Sequence, residues 1–202
     1  MASSRENPSR RTTPLAIALL AAGVAASAGC NPGVGTGELT GTLTAAECEL
    51  LDAPYSLEPD FFVAEGVLHG LHVRIQRGSD LPVVSDGIWI DVLSSKAIVD
   101  LGLGTPLPVA EGSREDAVKV SMYFNETCRV TRHVAPVLLE GIGGTVTFTQ
   151  IYDPDANGSP NIVGTLDSVE LVDPASPLTR HALVSGNFDF LYNRGRPAQR
   201  YP

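Results

Sequence analysis

"AVKVSMYF", residues 117–124, alternates strictly: Val118, Val120, Met122 and Phe124 fall on one side of an extended chain, with Lys119, Ser121 and Tyr123 on the other. Successive side chains of a strand point to opposite faces, so this period of two describes a strand with one face on a core. "LVSGNFDFLY", residues 183–192, repeats it, with Val184, Phe188, Phe190 and Tyr192 set against Ser185, Asn187 and Asp189. "VLHGLHVRIQ" (67–76), "GIWIDVL" (87–93) and "TVTFTQIY" (145–152) have the same β-branched and aromatic character. Asn157-Gly158 between two such runs marks a hairpin connection. No segment between residues 37 and 193 carries a helical period. Short strands broken by frequent turn residues predict a single all-β domain over residues 37–202, an antiparallel β-sandwich or a barrel-like sheet.

Upstream of that domain the pattern changes. "MASSRENPSRR" is cationic, and "TTPLAIALLAAGVAASAG" is apolar and runs into small residues. This is the layout of a secretory signal peptide, here residues 1–29, and it is set aside from the fold. The apolar run is roughly 15 residues, short of the ~20 that a membrane-spanning helix needs, and it opens on Pro14. Without residues 1–29 the chain loses Arg5, Arg10, Arg11 and Glu6, and its formal charge goes from −9 to −11. A domain that acidic is repelled by phosphate backbones and by anionic headgroups, which argues against nucleic acid as a partner. No G-x-x-x-x-G-K-[ST] loop is present to cradle a nucleotide phosphate.

Three cysteines in an exported chain leave one thiol to explain. Ser27-Ala28-Gly29-Cys30 resembles the lipobox of bacterial lipoproteins, in which small residues precede a cysteine at the cleavage site. The resemblance implies a cut before Cys30, a diacylglycerol on its thiol and an acyl group on the new amine. Ser27 departs from the family pattern, which usually has an aliphatic residue there. Ser9-Arg10-Arg11 also starts like a twin-arginine signal, but Thr13 and Pro14 replace its apolar residues. The lipoprotein resemblance further implies the outer membrane as destination, since Asn31 stands where an Asp favours inner-membrane retention in that family. Residues 30–36 then form a short Gly-rich tether that keeps the domain close to its membrane. Cys48 and Cys128 become the natural disulfide pair of an oxidising compartment, the alternative being two separate buried thiols. The absence of C-x-x-C leaves thioredoxin-like chemistry and zinc knuckles without support.

Few constellations suggest chemistry. His69 and His72 are three apart, so one regular strand points them to opposite faces. His69 falls in register with Val67, Leu71, Val73 and Ile75 and is expected to face the core, while His72 joins Arg74 and Gln76 on the polar side. Only a bulge at Gly70 would bring the two histidines to one metal ion, and Asp153, Asp155 and Asn157, alternating before Gly158 like the first half of a calcium loop, are the remaining metal candidates. The twelfth position of such a loop is Gly164 rather than Glu, and an Asp-rich hairpin tip explains the run equally. Asn125-Glu126-Thr127 and Asn157-Gly158-Ser159 match glycosylation sequons, which a bacterial-type anchor makes accidental. Arg194, Arg196 and Arg200 crowd the C-terminus, either as a contact patch or as a solvated tail. No G-x-S-x-G and no H-E-x-x-H occurs.

"LHVRIQRGSDLPVVSDGIWIDV" (71–92) and "GNFDFLYNRGRPAQRYP" (186–202) are similar to uncharacterised exported lipoproteins of the myxobacterial kind. That resemblance implies a location and no activity. The expectation is a lipid-anchored cell-envelope protein that binds or scaffolds through a protein or glycan contact, without catalysis and without a cofactor. The alternatives are an anchored carbohydrate- or calcium-dependent binding module and an envelope hydrolase whose carboxylates converge only in space.

Overall fold

The computed structural model describes residues 35–78, 85–110, 114–128, 136–153 and 159–192. Its strands are β1 (Gly35–Ala45), β2 (Leu50–Leu57), β3 (Phe61–Val67), β4 (Gly70–Arg77), β5 (Asp86–Val92), β6 (Pro106–Pro108), β7 (Val118–Phe124), β8 (Val137–Gln150), β9 (Asn161–Val172) and β10 (Arg180–Leu191). All belong to one antiparallel sheet in the order β2-β1-β10-β9-β8-β7-β5-β4-β3, with β6 added beside β8. The sheet curls into a half-barrel, so the all-β expectation holds in its barrel-like form. Almost every neighbour in space is a neighbour in sequence. Three pairings depart from this: β5 with β7, β6 with β8, and β1 with β10 along its whole length, while the consecutive strands β2 and β3, joined by residues 58–60 alone, lie at opposite edges of the sheet.

Alternation explains the concave side. Val118, Val120, Met122 and Phe124 of β7 are buried there beside Ile88, Ile90 and Val92 of β5 and Leu71, Val73 and Ile75 of β4. Phe188 and Phe190 of β10 fill the far side, and Phe62 of β3 reaches across to Phe190 at 5.6 Å between ring centroids. One apolar core results. Gly35 lies under this contact, where a Cβ would come 2.5 Å from the Cβ of Phe190 and 2.9 Å from the Phe62 ring. Accordingly β1 starts at Gly35, two residues inside the expected tether of 30–36, with Gly35 and Thr36 paired to Phe190 and Asp189. A glycine that reads as flexibility is here a close approach.

On the convex side the polar expectation fails for Ser121 and Tyr123, both buried. Tyr123 packs on Trp89 at 4.7 Å and lies across Gly87, where a Cβ would meet its hydroxyl at 2.5 Å. Phe61 adds to this outer aromatic layer, with the Arg74 guanidinium 4.7 Å above its ring. A large aromatic beside a glycine thus shields the sheet from outside.

One helix, α1 (Ser95–Leu101), links β5 to β6 and corrects the helix-free expectation. Seven residues are too short to show a period. Its signals are local: the Ser94 hydroxyl accepts from the Ala97 N–H at 3.1 Å, and Gly102 ends it at φ +105°. Among the described residues no helix is long and apolar enough to cross a membrane.

The strand ends define two ends of the half-barrel. At the entry end lie the start of β1, the end of β10, the β3–β4 hairpin and α1. At the other end, the stapled end, lie the β1–β2 and β9–β10 turns and the junctions of Arg77 with Asp86 and Phe124 with Val137.

Candidate functional site

Asp86 opens β5 on the same parity as Ile88, Ile90 and Val92, so backbone geometry turns a carboxylate into the concave side, where it is fully buried. Its Oδ1 accepts the backbone N–H groups of Asn125, Glu126 and Thr127 at 2.9, 2.9 and 3.2 Å. Its Oδ2 accepts from the Thr127 hydroxyl at 2.5 Å and from Arg77 Nη2 at 2.7 Å. Arg77 also reaches Glu126 Oε2 at 3.3 Å and the carbonyl of Ser56 at 3.4 Å, bridging β4 to β2. Partial burial draws the Arg77 pKa down, but Asp86 and Glu126 outweigh it and hold the guanidinium more firmly charged than usual. Burial, reinforced by the Asp86 charge, pushes the nearby Tyr55 phenol far above its ordinary range. Tyr123 is also pushed up, chiefly by burial, and donates to Gln76 Oε1. Every lone pair of the Asp86 carboxylate is committed to protein donors. The cluster is built to hold the 125–127 turn, and Asn125, the first sequon asparagine, is fully buried within it.

Cys128 follows that turn directly and is bonded to Cys48, with Cα atoms 4.9 Å apart and 80 residues between them in sequence. The expected pair is therefore formed. Nearby, Arg180 donates to Asp173 Oδ2 at 2.7 Å and pairs with Glu47 Oε1 at 2.5 Å, tying the β9–β10 turn to the β1–β2 turn. The Arg180 hydrogen bond, with the Ala175 N–H, holds the Asp173 carboxyl below the usual carboxylate range.

The two histidines do not share a strand, and His69 does not face the core. The chain reverses between Val67 and Gly70, leaving Leu68 and His69 as an exposed two-residue turn. Strand parity therefore restarts at Gly70, and Val67 is exposed as well. His72 lies on the convex side, hydrogen-bonded through Nδ1 to Asp91. Its ring is 6.0 Å from Trp89, whose other neighbour is Tyr123. The indole is thereby engaged by two aromatic partners.

Asp153 is nearly buried beside the stacked rings of Tyr152 and Tyr192, 3.8 Å apart. Asp155 and Asn157 lie outside the described residues, as do Cys30, Arg194, Arg196 and Arg200. β8 and β9 pair antiparallel on either side of the Asp-rich run, with Gln150 opposite Val163. Among the described residues no group of three His, Cys, Asp or Glu side chains could hold a metal ion.

Sequence reasoning missed Asp86 and Arg77. The signal available was a charged residue at an inward-facing position of each strand. No family model, curated protein or solved structure matches this chain.

Proposed function

We propose that this chain is an exported, lipid-anchored cell-envelope protein that acts by binding or scaffolding at its membrane. The observation that carries the reading is the Cys48–Cys128 bond, which accounts for two of the three cysteines and leaves Cys30 as the odd one, after the apolar run. A disulfide between distant segments suits an oxidising compartment. The start of β1 at Gly35, five residues beyond Cys30 in sequence, suits a domain held close to a bilayer. A non-catalytic role is supported by the commitment of the buried Asp86 carboxylate to backbone donors. Several acyl chains on Cys30, each buried methylene contributing ~0.8 kcal/mol, make a firm anchor. Asn31 supports the outer membrane as the site.

Fractionation of cells expressing the full chain tests this reading. Wild type sediments with membranes and is released only by detergent, whereas Cys30→Ala is soluble or retained uncut. A wild type that stays soluble in the absence of detergent overturns it.

A further inference from the structure

Twelve large apolar side chains are exposed among the described residues, and seven belong to the entry end. Val67 and Leu68 lie at the β3–β4 hairpin, Leu93 follows β5, Val99 and Leu101 lie on α1, Leu103 follows it, and Leu191 ends β10. The parts are adjacent: the Ser95 N–H bonds to the His69 carbonyl, the Gly104 N–H to the Phe148 carbonyl, and a Cβ at Gly66 would come 3.6 Å from the Tyr192 hydroxyl. Gly35 pairs with Phe190 in the same region, so the chain enters the fold beside Leu191.

Leu68 stands out. It is 89% exposed and adopts φ +55°, a left-handed conformation that L-residues with a Cβ avoid. The domain thus tolerates backbone strain to display an apolar side chain that touches little of itself. Strain of this kind points to a contact made outside the fold.

We infer that this end lies against the lipid surface, with Leu68, Val99, Leu101 and Leu103 inserted at the boundary between headgroups and acyl chains. The inference rests on the lipid-anchor reading and adds an orientation to it. Cys30 is five residues from Gly35, a reach of about 17 Å when extended, so an anchored domain keeps its entry end at the bilayer. A short tether gives an effective concentration on the order of millimolar, at which weak insertion suffices. The exposed charge of this end includes the ion pairs of Lys96 with Asp100 and Arg114 with Asp116, and the exposed acids Glu115 and Asp189. A zwitterionic surface therefore fits better than an anionic one, given the acidic chain. The stapled end, with Glu47, Glu126, Asp173 and Arg180 in ion pairs, faces away.

The test uses the full, acylated chain reconstituted into phosphatidylcholine vesicles with bromine-labelled acyl chains, as Leu68→Trp and separately as Leu178→Trp. Leu178 is equally exposed but lies in the β9–β10 turn at the stapled end, and Trp89 gives both variants the same background. Both proteins float with the vesicles, and only Leu68→Trp loses emission to bromine. Adding Leu101→Asp and Leu103→Asp restores that emission without ending flotation. Flotation with no quenching at position 68 overturns the docking and spares the anchor; this is also the outcome if a second copy or the N-terminal segment covers the end. Equal quenching at positions 68 and 178 overturns the orientation. A wild type that does not float overturns the anchor, and the docking with it.

Discussion

Asp86 shows how one buried side chain can organise a turn. Its fully buried carboxylate satisfies three consecutive backbone N–H groups and the guanidinium of Arg77, which is itself one-third exposed. Asp86→Ala takes the acceptor from all of them, and with the Arg77 guanidinium still reached by water the loss is set by the backbone donors, about 2–3 kcal/mol. Urea unfolding at neutral pH is expected to show that loss, and a change below 1 kcal/mol would contradict the role assigned to it. Leu68 predicts the opposite sign. Leu68→Gly removes a left-handed backbone penalty and almost no burial, so it raises stability by about 1 kcal/mol in the same measurement. Neither residue was legible beforehand. A carboxylate just ahead of Ile88 looks like part of a polar loop until the register of β5 against β4 is known. His69 misled because the chain turns where apolar alternation seemed to continue, with Leu68 occupying a position that normally calls for glycine.

At the scale of elements, strands were readable wherever alternation ran uninterrupted, as in β5, β7 and β10. The start of β1 was not, because Gly35 and Gly37 carry no side chain to alternate. The bonded pair Cys48–Cys128 joins the β1–β2 turn to the segment after β7, closing a loop of about 80 residues. Removing it by Cys48→Ala with Cys128→Ala costs about 4 kcal/mol in the chain-entropy model. Thermal unfolding is expected to fall by roughly 10 °C; an unchanged midpoint would contradict the staple. The β9–β10 turn carries a pH dependence. Asp173 is depressed by Arg180, so its contribution is complete above the ordinary carboxylate pKa and is lost as pH falls through the lower folded value. Denaturant titrations from neutral to acid pH should therefore show a steeper acid loss for wild type than for Asp173→Asn. Parallel curves would remove Asp173 from the account.

For the whole molecule, the all-β class followed from parity and turns, while the curl and the pairing of β1 with β10 did not. Those depend on contacts between segments some 150 residues apart, Gly35 with Phe190 among them, which no local pattern encodes. The same pairing puts the chain's entry point, the strained Leu68 and the apolar flank of α1 at one end, with the disulfide and most ion pairs at the other. That polarity fits the tether at Cys30 that we propose. The most direct test is the intact mass of the protein extracted from the membrane fraction, with its N-terminal peptide. The account predicts a chain that begins at Cys30 and carries diacylglycerol and an amide-linked acyl group. An unmodified Cys30, whether residues 1–29 are retained or removed, would contradict it.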